Sequence, residues 1–298
     1  VWGFWAHDWE GRLLGVDSID AGSRRVTTRH PSCYGAKEGM RYYFLNVLEE
    51  LDTPGEWVLN RAAGTVHVWP MRGRRGALDF PVLSTAFIAA DGVQHVVFQN
   101  LAFDLAQGMG LRFAKSDHVR ILGCKVTRLG GGGISLEGTH NTVMGCDILQ
   151  MGGGGIRVEG GEQATLAAGH NVVENNHIEG FTLVDRVYAP AVFASGVGTR
   201  IAHNLMHHSP HHALRVEGSE HIVELNEIHS VVWEADDQAG IDMFGNAAYR
   251  GNVIRWNFWH HIGSGRTRAG QSGIRLDDAI SGVLMYGNVF YRASDGRF

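Results

Sequence analysis

Two kinds of short apolar segment alternate along the chain from about residue 93 onward. The first kind is a β-rich run that closes on a small polar residue, usually Asn. Its copies close at Asn100, Cys124, Cys146, Asn176, Asn204, Asn226, Asn257 and Asn288. Successive copies stand 24, 22, 30, 28, 22, 31 and 31 residues apart. The chain therefore repeats with a minimum period of 22 residues, to which insertions are added.

The second kind of segment is a strand that starts at Gly or Ala and alternates strictly between apolar and other residues. Its copies start at Gly110, Gly133, Gly155, Ala213, Gly240 and Gly273. One coil of this size cannot bury its own apolar side, so coils must stack around a shared core. The pattern predicts an all-β chain folded as a parallel β-helix. It argues against helical repeats, which need a 3.6-residue period, and against the antiparallel blades of a β-propeller.

The recurring Asn falls at a bend, where stacked side-chain amides can hydrogen-bond to neighbouring coils. Cys124 and Cys146 take the place of this Asn in consecutive coils. Neighbouring strands lie about 4.8 Å apart, a distance that allows a disulfide bond. We expect two buried thiols instead, because a free Cys packs as a small apolar side chain.

The first 80 residues differ from the rest. They are rich in aromatic side chains, and residues 61–70 form a predicted hairpin with Gly64 in its turn. We predict a small antiparallel β insertion over residues 1–80 and the coils of the β-helix over residues 81–298. The insertion shapes one wall of a cleft or caps the β-helix. The chain starts at Val1 and ends without a terminating pattern, so we expect a fragment of a longer protein.

Composition excludes several classes of partner. The chain has 26 basic and 31 acidic residues and a net charge of −5, which argues against nucleic acid. The longest apolar stretch, residues 82–98, is interrupted by Asp91 and Gly92. It falls short of the roughly 20 apolar residues that a membrane helix needs, so we predict no membrane span.

Outward residues of the second kind of strand should form columns, because stacked coils keep their register. The first column reads Arg112, Ser135, Arg157, Arg215, Asp242 and Arg275. The second column reads Ala114, Glu137, Glu159, Glu217, Phe244 and Asp277. Pairing across the columns gives a solvated ladder of ion pairs, each worth about 0.2–1 kcal/mol.

Acidic residues gather at the last two coils, where we expect no matching bases. They are Glu234, Asp236, Asp237, Asp242, Asp277 and Asp278. Loops lengthen nearby, at residues 233–237 and 263–268, and solenoid insertions often mark the binding face. The mixture of carboxylates with His, Arg and Trp indicates a carbohydrate or cation site. Trp233 either stacks on a sugar ring or packs under its loop.

Histidines also crowd this end of the chain: His207, His208, His211, His212, His229, His260 and His261. His207-His208 and His211-His212 stand four residues apart, a spacing that would suit zinc on a helix. Pro210 lies between them in a predicted turn, so we predict stacked surface histidines without a metal.

Four segments resemble glycoside hydrolase family 141. They are residues 46–57 with the strand at 66–70, then the motifs Glu-Ala-Asp-Asp at 234–237, Tyr-Arg-Gly-Asn at 249–252 and Leu-Asp-Asp at 276–278. The resemblance covers most of the chain and implies a right-handed, pectin-lyase-like β-helix. It also implies hydrolysis of a plant-type or other complex polysaccharide by a secreted or periplasmic protein. One catalytic Asp would come from Asp236 or Asp237, and the other from Asp277 or Asp278.

A glycosidase needs one carboxylic acid and one carboxylate on either side of the scissile bond. From register alone, Asp242 and Asp277 would stand about 8 Å apart, as in inverting enzymes. The resemblance instead favours Asp237 with Asp277 or Asp278. We expect the substrate to contact residues around these acids, and we expect no cofactor. The predicted substrate-binding residues are Arg275, Asp242, Arg215, His212, Trp233 and His261.

Two other functions remain open. A polysaccharide lyase or uronate epimerase could use Arg215, Arg250 or Arg275, with Ca²⁺ held by the oxygen atoms of Asp236, Asp237 and Asp278. A non-catalytic carbohydrate-binding solenoid is the third class. Such scaffolds usually keep regular coils, whereas these coils lengthen around one acidic cluster.

Overall fold

The computed structural model describes residues 1–71, 78–265 and 269–294. Part of the predicted loop at 263–268, namely residues 266–268, lies outside the described residues, as do the terminal residues 295–298. The chain divides into two compact units, Val1–Phe80 and Pro81–Phe298.

The larger unit is a stack of coils, each of which gives one strand to each of three parallel sheets. Sheet 1 contains Ile88–Asp91, Leu111–Asp117, Ile134–Thr139, Ile156–Glu162, Val192–Val197, Leu214–Ser219, Gln238–Phe244 and Gln271–Asp277. Sheet 2 contains Val97–Gln99, Arg120–Leu122, Thr142–Met144, Val172–Glu174, Arg200–Ala202, Ile222–Glu224, Val253–Arg255 and Leu284–Tyr286. Sheet 3 contains Ala102–Ala106, Lys125–Leu129, Asp147–Met151, His177–Glu179, Leu205–Ser209, Glu227–Val231, Phe258–His260 and Val289–Tyr291. The predicted parallel β-helix is confirmed.

The core is built from rows of apolar side chains that stack from coil to coil. In sheet 1 one such row is fully buried and in register, and consists of Leu111, Ile134, Ile156, Val192, Leu214 and Ile241. Full burial of each side chain of this kind stabilises the fold by about 1.5–3 kcal/mol. Val192 belongs to a strand absent from the predicted repeats, because that strand follows Ala191 and lacks the leading Gly.

The Asn ladder at the bend between sheets 2 and 3 is confirmed from Asn176 to Asn288. The placement of Asn100 in this row is wrong, because Gln99 pairs with Leu122 and Asn100 therefore lies beside Gly123. Each backbone N–H is accepted by the side-chain oxygen of the Asn one coil further on, at 3.0 Å for Asn176 to Asn204 and 2.9 Å for Asn204 to Asn226. Asn257 and Asn288 continue the ladder. Since the bend is buried, the amides satisfy backbone groups that water cannot reach.

Cys124 and Cys146 are free, buried thiols at the start of this ladder, as expected. The backbone N–H of Cys146 donates to the side-chain oxygen of Asn176 at 2.9 Å. Burial raises the pKa of the Cys146 thiol to about 11. The thiol is therefore protonated at neutral pH and packs as part of the core.

The smaller unit is antiparallel. Gly11–Leu13, Trp2–Phe4 and Tyr42–Tyr43 form a three-stranded sheet in that order. Two hairpins follow the same pattern: Val16–Asp20 with Arg25–Thr28, and Trp57–Asn60 with Thr65–Val68. The second hairpin is the one predicted around Gly64.

Helical structure is sparse. Leu48–Glu50 forms a short 3₁₀ helix in the smaller unit. No helix in the described parts of the chain has the length and apolar character needed to cross a membrane.

The Asn ladder should contribute strongly to stability. Asn226→Ala removes an acceptor of the Asn204 backbone and side-chain N–H groups and leaves them in a site where Asn226 is only 2% exposed. We expect the free energy of unfolding to fall by about 2–3 kcal/mol, measured by urea denaturation with circular dichroism. Asn246→Ala, which removes one exposed turn hydrogen bond, is the control and should cost less than about 1 kcal/mol. Equal losses in both variants would contradict this role.

Candidate active site

Side chains of alternating charge form a row across the last three strands of sheet 1. Arg215 pairs in register with Asp242, and Asp242 pairs with Arg275. The Asp242 carboxylate accepts hydrogen bonds from Arg215 Nη1 at 2.5 Å and from Arg275 Nη1 at 3.3 Å. Asp242 is 1% exposed, so a substrate cannot reach it. The carboxylate instead fixes the orientation of two guanidinium groups.

Arg275 uses its other terminal nitrogen to hold two further carboxylates. Nη2 lies 2.9 Å from Asp237 Oδ1 and 2.8 Å from Asp277 Oδ2. These two oxygen atoms are therefore at most about 5.7 Å apart, the sum of the two contacts. Both side chains are partly open to solvent, with 30% of Asp237 and 23% of Asp277 exposed.

Local backbone geometry explains how these two acids meet. Asp277 follows Arg275 by two residues on the same strand, so both side chains project from the same face of the sheet. Asp237 directly precedes Gln238–Phe244 and has a left-handed backbone, with φ of 53°. Asp tolerates this conformation better than most residues. The turn directs Asp237 back toward Arg275.

The pKa of Asp277 is raised. Burial is the main cause, and the negative charges of Asp278, Asp242 and Asp237 act in the same direction, while Arg275 opposes them. A carboxyl group in such surroundings holds its proton at higher pH than an ordinary Asp. Asp277 is thus suited to donate a proton.

An uncharged wall adjoins the charged row. His212 is fully buried, and its Nδ1 lies 3.0 Å from the side-chain oxygen of Gln238. Burial lowers the pKa of His212, so the ring is neutral and donates from Nδ1 to this oxygen. Nε2 then carries a lone pair with no hydrogen-bond partner among the described residues.

Tyr188 belongs to the same wall. Its ring centroid lies 5.7 Å from that of His212, and Gln238 Nε2 lies 3.5 Å from its hydroxyl. Partial burial and the negative charge of Asp242 raise the pKa of Tyr188. The phenol therefore stays protonated and can donate a hydrogen bond.

The expectation that the acids at this end lack matching bases is wrong for four of the six, namely Glu234, Asp237, Asp242 and Asp277. Arg275 and Arg215 pair with Asp237, Asp242 and Asp277, as described above. Glu234 accepts from Arg186 Nε at 2.6 Å. The charged column positions of the last three coils therefore belong to an ion-pair network, whereas Phe244 packs against the Arg215 guanidinium.

Asp236 and Asp278, the other members of the two predicted Asp pairs, occupy different surroundings. The Asp236 carboxylate is buried and accepts the backbone N–H groups of Asp237, Ala269 and Gly270 at 2.9, 2.9 and 3.0 Å. It ties together the two loops that precede the last strands of sheet 1. Asp278 is exposed, and its N–H donates to Asp277 Oδ1 at 3.1 Å.

Trp233 and His261 lie elsewhere. Trp233 is exposed, and the Arg186 guanidinium carbon lies 5.4 Å from the centroid of the Trp233 ring. Trp233 also lines a groove together with Lys125, Gln150 and His208. His261 contacts His260 and Tyr291 beside sheet 3. Within the described ranges, no contact joins either residue to Arg275 or to the carboxylates that Arg275 holds.

Tyr188 and Gln238 were not predicted from the sequence. Tyr188 precedes the strand Val192–Val197, which the repeat pattern missed, just as Asp237 precedes its own strand. The signal was the 28-residue gap between Asn176 and Asn204 with no assigned strand inside it. Residues 192–195, Val-Phe-Ala-Ser, do not alternate between apolar and polar residues, so this empty gap was the one sign of the strand and of the loop before it.

Comparison with known proteins supports the fold. The family described as "Right handed beta helix region" matches residues 84–188, which confirms the predicted handedness. A solved structure named "Glycoside hydrolase" is similar with a TM-score of 0.64 and 16% sequence identity. The similarity covers 83% of this chain and 57% of that one, so this chain spans little more than half of its length. No curated protein sequence matches the chain.

The buried ion row should be essential for stability at this end of the solenoid. Asp242→Asn removes the charge that compensates two guanidinium groups, each about 85% buried. We expect the free energy of unfolding to fall by about 3 kcal/mol, measured by urea denaturation. The control is Glu159→Gln, whose partner Arg157 is half-exposed, and it should cost less than about 1 kcal/mol. A loss no larger than that of the control would show that Asp242 is not a structural charge.

Proposed function

We propose that this chain is a glycoside hydrolase in which Asp277 is the general acid and Asp237 is the nucleophile. The observation that carries the proposal is that one guanidinium nitrogen, Arg275 Nη2, holds two solvent-reachable carboxylates of unequal surroundings. The β-helix fold and the similarity to a structure named "Glycoside hydrolase" support it. The sequence motifs support the finer assignment to glycoside hydrolase family 141 and to a polysaccharide substrate.

The proposed reaction begins with proton transfer. Asp277, whose raised pKa favours the role of acid, gives a proton to the glycosidic oxygen while the bond to the anomeric carbon breaks. The leaving sugar departs as an alcohol. Asp237 attacks the anomeric carbon and forms a glycosyl ester. Water then cleaves the ester and returns a proton to Asp277.

The short gap between the acids favours direct attack over activation of a water molecule. Retaining enzymes place their carboxyl groups about 5–5.5 Å apart, and inverting enzymes about 6.5–9.5 Å apart. The upper limit of about 5.7 Å between Asp237 Oδ1 and Asp277 Oδ2 suits the first class. The inverting arrangement expected from Asp242 is set aside, because Asp242 is buried between two Arg residues.

Arg275, Arg215 and Asp242 act as positioning residues in this proposal. Arg275 spaces the two acids, and the Asp242 carboxylate orients Arg275. Tyr188 has a half-exposed phenol and can donate to a sugar hydroxyl. The substrate would be met outside the cytoplasm, so we propose a secreted or periplasmic protein.

This site suits a lyase or epimerase less well than a hydrolase. It needs a positive group free to neutralise a uronate carboxylate, yet Arg215 and Arg275 are each bound to carboxylates of this chain. The Ca²⁺ ligands expected for that function do not share one site. Asp236 accepts backbone N–H groups, Asp237 pairs with Arg275, and Asp278 is exposed to solvent. The hydrolase is therefore the better supported function.

Hydrolysis and elimination leave different products. We expect the chain, incubated with a panel of plant-type polysaccharides, to release new reducing ends without the ultraviolet absorbance of unsaturated uronates. Proton NMR should show that the first product keeps the anomeric configuration of the substrate. Absorbance that grows in step with product would contradict hydrolysis and favour the lyase.

Substitution of the two acids should affect turnover in distinguishable ways. Asp277→Asn should lower turnover of the polysaccharide by about 10²–10⁴-fold, because the proton donor is lost. It should do much less harm with an activated aryl glycoside, whose leaving group departs without a proton. Asp237→Ala should be inactive on both substrates, and added azide should restore turnover by forming a glycosyl azide.

Two variants serve as controls for these losses. Glu137→Gln and Glu159→Gln each remove an acid of the same column several coils away. Both should keep near-native turnover. If Asp237→Ala and Asp277→Asn also keep it, the carboxylates held by Arg275 are structural and the assignment is wrong.

A further inference from the structure

A stack of four imidazole rings runs along sheet 3, outside the proposed active site. His177, His207, His229 and His260 lie on four consecutive coils, with neighbouring ring centroids 5.0, 4.6 and 4.6 Å apart. His207, His229 and His260 share one row of the register, and Glu179 occupies the same row one coil earlier. The proposed reaction uses none of these residues.

The first pair of coils brings three metal-ligand atoms together. His177 and Glu179 stand two residues apart on one strand, so both project from the same face. His177 Nε2 lies 2.9 Å from His207 Nε2 and 3.7 Å from Glu179 Oε2. All three ligand atoms lie within 4.8 Å of one another.

The next pair of coils repeats the arrangement. Glu227 and His229 again stand two residues apart on one strand, and His260 lies on the following strand. Glu227 Oε1 lies 3.1 Å from His260 Nε2, and the three ligand atoms again fall within 4.8 Å. One carboxylate and two imidazoles thus come together twice over four coils. Each time, two of the residues stand two apart on one strand and the third lies beside the second of them on the next coil.

The remaining ring nitrogens have partners of their own. Nδ1 of His177 faces Asp147 at 3.7 Å, and Nδ1 of His260 faces Nδ1 of His261 at 2.8 Å. Nδ1 of His207 contacts His208, and Nδ1 of His229 lies 3.1 Å from the Ser230 hydroxyl. In metal sites the second nitrogen of a ligating His usually donates to a carboxylate, a backbone carbonyl or water. Here Asp147, a hydroxyl and two further imidazoles occupy that place.

Acidic side chains adjoin the stack. The carboxylates of Asp147, Glu179 and Glu227 face the stack, and His208 and His261 flank it. The ring nitrogens of the stack therefore lie beside carboxylate oxygens.

We propose that this strip binds two divalent transition-metal ions of the zinc class. His177, Glu179 and His207 form the first site, and Glu227, His229 and His260 form the second. Bonds of about 2.0–2.1 Å in a tetrahedron set ligand atoms about 3.3 Å apart, and the contacts of 2.9, 3.7 and 3.1 Å bracket that value. Imidazole ligands favour zinc, nickel or copper over calcium and magnesium. Three protein ligands leave the fourth position open to water or another ligand.

The third group of similar composition does not repeat this pattern. His95, Asp117 and His118 lie near one another at the corner between sheets 1 and 2, but the Asp117 carboxylate already accepts from Thr139 and contacts His118 and His140. The corner stack of His118, His140 and His170 has similar ring spacings of 4.6 and 5.1 Å. It therefore supplies a matched control for stacking without a site.

The experiment uses the whole chain without a polyhistidine tag, stripped with a chelator and dialysed. We expect isothermal titration with Zn²⁺ to give two ions per chain at micromolar or tighter dissociation constants. Co²⁺ in place of Zn²⁺ should give the visible absorption of a low-symmetry site. Glu179→Gln and His207→Gln should each weaken one of the two binding events tenfold or more, and His260→Gln should weaken the other.

Controls separate metal binding from stacking. His140→Gln removes a ring of the corner stack and should leave both binding events unchanged. Glu179 is 44% exposed, so Glu179→Gln should fold even if His207→Gln does not. Dissociation constants above a millimolar, or an equal loss in His140→Gln, would overturn the proposal. Binding of a single ion would overturn the paired arrangement.

Discussion

The whole solenoid depends on one constraint: parallel coils stack in register, about 4.8 Å apart, so each side chain lies over its counterpart in the next coil. An apolar residue in this position extends the core, and Leu111 begins a row that continues to Ile241. An Asn passes its amide hydrogen bonds along the stack. The same rule that builds the core therefore arranges every polar residue on the surface into rows.

Charged residues can enter such rows only under restrictive conditions. Two like charges at this spacing repel by about 1 kcal/mol in water and by several times more where solvent is partly excluded. Arg215, Asp242 and Arg275 avoid this by alternating in sign. In sheet 3, His207 avoids it by staying neutral, because burial lowers its pKa to about 4. Alternation and neutrality are two solutions to one electrostatic problem.

The rows themselves could be predicted from the sequence, because the 22-residue period and strict alternation fix which residues share a face. The column from Arg112 to Arg275 agrees with the register, once Phe193 is inserted between Arg157 and Arg215. The Asn ladder and the two free thiols followed from the same reasoning.

Residues in turns could not be placed in this way. Asp237 and Tyr188 both have left-handed backbones, with φ of 53° and 54°, just before strands of sheet 1. The direction of their side chains depends on loops whose lengths differ from coil to coil. The contacts of Arg275 with Asp237 and Asp277 were not predicted for a related reason. The Arg side chain is long enough to reach residues outside its own row, whereas the register shows only which residues share a row.

Asp237 and Asp277 break the rule that the other rows obey. They are two acids on one guanidinium nitrogen, so the charges around Arg275 are not balanced one for one. Such a cluster makes it harder for every carboxyl in it to ionise, and the pKa of Asp277 is raised accordingly. A proton held at a solvent-reachable position, beside a second carboxylate, is what acid-catalysed cleavage of a glycosidic bond requires. This departure from electrostatic balance is the physical reason why the proposed chemistry is assigned to the carboxylates at Arg275 rather than to the regular ladder.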